Sequence, residues 1–207
     1  PACLNGRRYV GMVGTRRPSA YGRQAAFDLS QELAKQGTVI VSGLADGLDS
    51  EGHRAAVEAG TPTVAFLGTA IDTTYPAANL KLRQRIEKDG GAVCSEYPPG
   101  YQGKQKGTFL ARNRLIAGLS EVLCVAEARI RSGTLNTVSH AERLGRPVLA
   151  VPGSIYSPQS QGTNELLRTG RAGVLSKASD VLDCMGVAVE AAAPQQSAFA
   201  PEETSPD

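Results

Sequence analysis

Six times along this chain a short apolar run ends in a turn of small residues. Val10–Val13 runs into Gly14-Thr15-Arg16, Val39–Val41 into Ser42-Gly43, Val64–Leu67 into Gly68-Thr69, and Ala92–Cys94 into Ser95. Val122–Ala126 leads through Glu127-Ala128 to Ser132-Gly133-Thr134, and Val148–Val151 into Pro152-Gly153. Most of these breaks are followed by apolar residues at helical spacing. Strand and helix patterns alternate from end to end, which argues for an α/β domain with a doubly wound, mostly parallel sheet and helices on both faces. Such a sheet places its C-terminal turns along one edge, where ligands of open α/β sheets bind. Small residues there let backbone N–H groups approach a ligand, and helix N-termini favour an anion. Arg16, Arg112 and Arg114 stand in or just after those turns. The edge reads as built for phosphate.

Between Ser19 and Gln36, Ala26, Leu29 and Leu33 recur at helical spacing, and Gly37 stops the helix. Further helices are predicted over Asp46–Ala59, Leu80–Lys88, Ala111–Leu119, Thr134–Leu144 and Asn164–Arg168, with a last turn at Ser179–Met185. Two connections are long, Gly68–Asn79 and Glu96–Thr108. The second carries three glycines, two prolines, Lys104 and Lys106, and loops of that length in a compact domain tend to be functional. From Tyr97 to Phe109, the aromatics Tyr97, Tyr101 and Phe109 bracket the two lysines, the basic and aromatic mixture that a sequence-tolerant single-strand surface requires. The alternative is that Phe109 plugs the core beside Leu115. From about Gly186 the composition turns to Ala, Pro, Gln, Ser and Glu. The expected division is a folded domain over 1–185 and a disordered acidic tail or linker over 186–207.

With 207 residues, 41% of them hydrophobic, the chain suffices for one good core. It has no run of about 20 apolar residues, so no membrane span is expected. The absence of a basic-then-apolar leader makes the cytoplasm the expected compartment. Cys3, Cys94, Cys124 and Cys184 are far apart, which favours free thiols over disulfides or zinc. The two histidines, His53 and His140, give a metal site little to build on, and no cofactor is implied. Net charge is +2, but residues 178–207 hold six acids and no Lys or Arg, which leaves +8 on residues 1–177. A basic body with an acidic tail fits a polyanionic partner.

The common nucleotide signatures fail. G-x-x-x-x-G-K-[ST] is absent, and Gly14-Thr15-Arg16-Arg17-Pro18-Ser19 keeps one glycine where the dinucleotide fingerprint needs three. Ser42 and Ser132 precede glycines but sit in no G-x-S-x-G elbow. Asp49 and His53 lie at i, i+4 on one helical face; a capping carboxylate beside a hydrogen-bonded His accounts for them better than catalysis. No catalytic constellation emerges. The triplet Arg112-Asn113-Arg114 is expected to open a helix, where two guanidiniums oppose the dipole. Either Glu96 or Glu127 satisfies them or phosphate does, and the fit of the Arg fork to phosphate favours the latter for at least one.

The succession V-G-T-R-R-P-S-A-Y-G (13–22), S-G-L-A-D-G-L-D-S-E-G-H (42–53), Y-P-A-A-N (75–79), S-E-Y-P-P-G (95–100), R-N-R-L-I-A-G-L-S (112–120), S-G-T-L-N-T (132–137), V-P-G (151–153) and Q-G-T-N-E-L-L (161–167) resembles the DNA-processing protein A family (DprA, also called Smf) over roughly residues 9–183. The resemblance implies a Rossmann-like domain that binds single-stranded DNA and loads the RecA recombinase in natural transformation, without enzymatic activity. It also implies a homodimer built from the C-terminal half of the domain, for which Leu135, Val138, Leu166, Leu167 and Val174 are the apolar candidates. By the same resemblance the DNA pocket comprises Gly14, Thr15, Arg16, Ser42, Gly43, Lys104, Lys106, Phe109, Arg112, Asn113, Arg114, Ser132, Gly133 and Thr134. Two other readings share the fold. Phosphoribohydrolases use a P-G-G-x-G-T-x-x-E turn, but Thr137 stands here where their glutamate would be. A sensor of a small nucleotide-derived ligand would occupy the same edge. The +8 body favours the longer ligand.

Overall fold

The computed structural model describes residues 7–103 and 105–187, without the side chains of 105 and 106. The six apolar runs become strands: β1 (Tyr9–Val13), β2 (Val39–Ser42), β3 (Thr63–Phe66), β4 (Ala92–Cys94), β5 (Val122–Val125) and β6 (Val148–Ala150). A seventh, β7 (Gly173–Val174), had no apolar run to announce it. The helices are α1 (Ala20–Lys35), α2 (Leu48–Glu58), α3 (Leu80–Lys88), α4 (Gln105–Leu119), α5 (Gly133–Arg143), α6 (Gln161–Arg168) and α7 (Ala178–Cys184). All strand pairs are parallel, in the order β4-β3-β2-β1-β5-β6-β7. The expected doubly wound, Rossmann-like α/β sheet is the one the chain forms.

The winding follows from strand periodicity, since successive side chains point to opposite faces. On β1 and β5, Val10, Met12, Val122 and Cys124 face one way and pack with Ala26, Leu29 and Leu33 of α1, Leu48 and Ala56 of α2, and Val181 of α7. Val13, Leu123 and Val125 face the other way, against Ile116 and Ala117 of α4, Val138 and Ala141 of α5 and Leu166 of α6. Ile86 of α3 joins Leu44, Val57, Ala65 and Leu67 at the β3 side. Both faces are covered, so the strands read as continuous apolar runs rather than alternating ones.

Three expectations need correction. The connection predicted over Glu96–Thr108 is shorter, because α4 begins at Gln105 and takes in Thr108 and Phe109. Arg112 and Arg114 therefore lie inside a helix rather than at its start, and the dipole argument for an anion beside them does not apply. Val138 and Leu166 are 0% and 1% exposed and belong to the core, so neither is available to a second subunit. The tail expected over 186–207 lies, beyond Val187, outside the described residues.

Among the described residues no helix is long and apolar enough to cross a membrane. Cys94, Cys124 and Cys184 are free thiols; burial pushes the Cys124 thiol far above its ordinary range. Cys3 lies outside the described residues.

Candidate nucleic-acid interface

Strand order reverses between β1 and β5, and at such a switch point the turns on either side diverge and open a crevice. Here the crevice is a cavity of about 600 Å³. Gly14, Thr15 and Arg16 line it after β1, Phe109, Arg112 and Asn113 from α4, and Ser132, Gly133 and Thr134 at the start of α5. Val13, Ala45, Asp49, Leu110, Ile116 and Thr137 complete the wall. Nine of the residues expected at the site thus meet in one place. Of the other five, Ser42 and Gly43 lie behind it, Arg114 lies outside it, Lys104 is not among the described residues, and the Lys106 side chain is not described.

Three helix starts approach the switch point, and they differ in what they offer an anion. The α1 start is closed: the Ser19 hydroxyl accepts from Gly22 N–H at 3.0 Å and donates to Glu127 Oε1 at 2.6 Å. The Ser19 N–H donates to Glu127 Oε2 at 2.9 Å. The α2 start carries Asp49 and Glu51 in its first turn, which repel an anion. The α5 start is open: its first turn holds no acid and its N-cap, Ser132, makes no capping bond. Ser132 Oγ is shielded from solvent and has no hydrogen-bond partner among the described residues. Leu135 N–H already donates to Ser132 O at 3.2 Å, but the N–H groups of Gly133 and Thr134, at the helix start, have no intrahelical acceptor and join an unsatisfied hydroxyl at the cavity wall. That combination suits a phosphate oxygen.

Behind the cavity, two buried charges are bridged by the backbone of one residue, Gly43. Gly43 N–H donates to Asp49 Oδ2 at 3.1 Å, while Gly43 O accepts from Arg112 Nη1 at 2.6 Å. Arg112 also donates to Phe66 O and is 3% exposed. A side chain at Gly43 would displace the Arg112 guanidinium, because its Cβ would lie 2.3–2.4 Å from three guanidinium atoms. Burial pushes the Asp49 carboxyl up and the Arg112 guanidinium down, and each charge partly offsets that cost for the other. Much of the Arg112 charge is thus spent within the protein. Arg114 pairs with Glu96, whereas Glu127 serves Ser19, so of the two candidate partners only Glu96 meets an arginine of the triplet.

Arg16 is the exposed cation of the cavity rim. Its guanidinium lies over the Phe109 ring, 5.3 Å from the centroid, and Tyr75 approaches that ring at 5.5 Å. Phe109 is half-buried and packs on Gly68, where a Cβ would come within 2.3 Å of the ring. It therefore forms a wall of the cavity rather than a plug beside Leu115. Asn113 joins α4 to α5 through Asn136 Oδ1 at 3.2 Å.

His53 does not pair with Asp49. Its Nδ1 lies 2.8 Å from the Thr63 hydroxyl, which itself donates to Ile40 O, so Nδ1 carries the hydrogen. Nε2 accepts from Leu44 N–H at 3.3 Å. Burial, aided by the Arg112 charge, holds the imidazole pKa down to about 3. The folded value lies below the ordinary 6.5, so the unfolded chain binds a proton that the fold refuses. The His53 contribution to stability is complete above pH 6.5 and is lost as the pH falls toward 3, at up to about 1.4 kcal/mol per pH unit. Urea midpoints measured over that window should fall more steeply for the wild type than for His53→Asn. Equal slopes would refute the assignment.

The profile of the family described as DNA recombination-mediator protein A matches residues 1–186. DNA processing protein DprA of Streptococcus pneumoniae is 44% identical over 173 residues, covering 84% of this chain and 60% of that protein. Its crystal structure superposes with a TM-score of 0.79 over 87% of this chain and 62% of that one, at 42% identity. The putative DprA of Mycobacterium tuberculosis is 42% identical over 179 residues, 86% of this chain and 45% of that protein. The structure of DNA processing protein A from Helicobacter pylori, described for its single-stranded DNA binding mode, matches with a TM-score of 0.80 and 34% identity over 89% of this chain and 82% of that one. The chain spans roughly half the length of the curated relatives it matches, 45% to 60% in these two.

Proposed function

The chain belongs to the family of DNA recombination-mediator protein A, and on that premise we propose that it binds single-stranded DNA at the switch-point cavity. The observation that carries this reading is the open start of α5, with its unsatisfied Ser132 hydroxyl, facing a cavity whose rim stacks Arg16 on Phe109. A phosphate fits the first feature and a base the second, and a nucleotide strand supplies both in alternation. The Helicobacter pylori relative, described for its binding of single-stranded DNA, supports the same ligand. Binding rather than catalysis is favoured by the wall itself. Among the described residues Asp49 is its one carboxylate and already accepts from the N–H groups of Gly43 and Ala45, and Thr137 stands at the motif position where a phosphoribohydrolase turn needs its glutamate.

Fluorescence anisotropy with single- and double-stranded oligonucleotides tests the reading. Single strands should bind more tightly, and log affinity should fall with log salt by about 0.7 per phosphate contact. An equal preference for duplex, or binding that ignores salt, would refute it.

The whole protein's role extends the proposal: a cytoplasmic homodimer that protects incoming DNA and loads the RecA recombinase in natural transformation and recombination. With Val138 and Leu166 in the core, the dimer contact would draw on the half-buried Leu135 and Leu167 and the exposed Val174. Sedimentation at micromolar concentration reads the dimer, and RecA filament assembly on strands already coated with the protein reads the loading. A monomer that stays monomeric with DNA bound would remove this extension.

A further inference from the structure

The connection from β6 to α6 displays two large apolar side chains in solvent, Ile155 at 75% and Tyr156 at 88% exposure. The backbone beneath them is held in place. Asn164 clamps Gly153 from both sides, Oδ1 accepting its N–H at 3.1 Å and Nδ2 donating to its carbonyl at 3.0 Å. The Tyr21 hydroxyl donates to Pro152 O at 2.8 Å. Tyr156 N–H donates to Ser154 Oγ at 3.2 Å, and Ser157 N–H closes on Ser154 O at 3.0 Å. A fixed loop that keeps an aromatic ring outside, when it could be covered, marks a contact surface.

The neighbouring connection supplies charge. Arg129, Ile130 and Arg131 follow β5 and are all exposed. Among the described residues neither arginine has an ion-pair partner. The two connections touch: Gly162 N–H, at the start of α6, donates to Ala128 O at 2.7 Å. Arg131 leads directly into Ser132 of the cavity wall. Aromatic ring, unpaired guanidiniums and cavity thus form one ledge along the sheet's C-terminal edge.

We propose that this ledge carries a nucleic-acid strand onward from the cavity, with Tyr156 stacking on a base and Arg129 and Arg131 holding the flanking phosphates. The proposal rests on the cavity being a single-strand site. Unpaired arginines beside an exposed ring complement a polyanion whose bases offer π-faces, and such contacts tolerate any sequence.

The test uses the full chain and oligothymidylates of two lengths, about 4 and about 16 nucleotides, the range one binding module covers. Tyr156→Ala should weaken the long strand roughly 5- to 150-fold, the cost of one lost base stack, and leave the short strand unchanged. Arg129→Ala with Arg131→Ala should lower the salt slope on the long strand by about 0.7 per arginine. Unchanged long-strand affinity in both variants overturns the ledge while leaving the cavity reading intact. Equal losses on both lengths overturn it as well, because the residues would then act through the cavity. So does a Tyr156→Ala protein that sediments at lower mass with unchanged binding, which would assign the surface to a second copy. Wild-type protein that binds neither length refutes the cavity reading itself, and the ledge with it.

Discussion

Arg112→Met is expected to cost about 3–5 kcal/mol of folding stability, the range found when one partner of a buried charge pair is removed. The substitution keeps the aliphatic bulk and deletes the donors. Gly43 O and Phe66 O would lose them, and Asp49, 7% exposed, would keep its charge with its main cation gone. For a domain of this size each kcal/mol lowers the melting temperature by about 2–4 °C, so a fall of roughly 6–20 °C is expected. Scanning calorimetry reads it. Adding Asp49→Asn should restore a substantial part, because the neutral amide oxygen can still accept from Gly43 N–H without an uncompensated charge. A loss under about 1 kcal/mol in the single variant, or no recovery in the double, would mean that Arg112 is not the partner of a buried charge.

The same pair shows where sequence reading stops. Arg112 and Arg114 looked alike on paper, two guanidiniums in one triplet. The fold turns the first inward onto carbonyls and leaves the second at the surface against Glu96. Which way a helical arginine points depends on where its helix begins, and that was obscured. Gly103, Gly107 and the two lysines resemble a loop, since glycine disfavours helix interiors, yet α4 starts at Gln105 and brings Phe109 onto Gly68. The strands were legible because a covered parallel sheet needs short β-branched runs, and each run ended in a turn of small residues. β7 has two residues, both exposed, and offers no period to detect. The cavity was half legible. Its turns could be placed on one edge from the order of motifs, but Asp49 looked like a helix cap. That Ser132 is an orphaned hydroxyl while Ser42 spends its own on Met12 O at 2.5 Å required coordinates.

Phe109→Leu should weaken single-strand binding by about 1–3 kcal/mol, the value of one base stacked on an aromatic side chain. Leucine retains apolar packing over Gly68, so the melting temperature should change little, which separates a lost stack from a damaged fold. Arg16→Ala removes a cation instead, and should lower the salt slope by about 0.7 while weakening all sequences alike. The two effects are coupled, because the Arg16 guanidinium rests over the ring at 5.3 Å. Once the ring is gone the arginine loses its platform, so the double variant should lose less than the sum of the single losses. Strict additivity would mean that ring and cation contact the strand independently. Affinity unchanged by Phe109→Leu, or a loss that tracks a lowered melting temperature, would show that Phe109 serves the fold alone and that bases bind elsewhere along the edge.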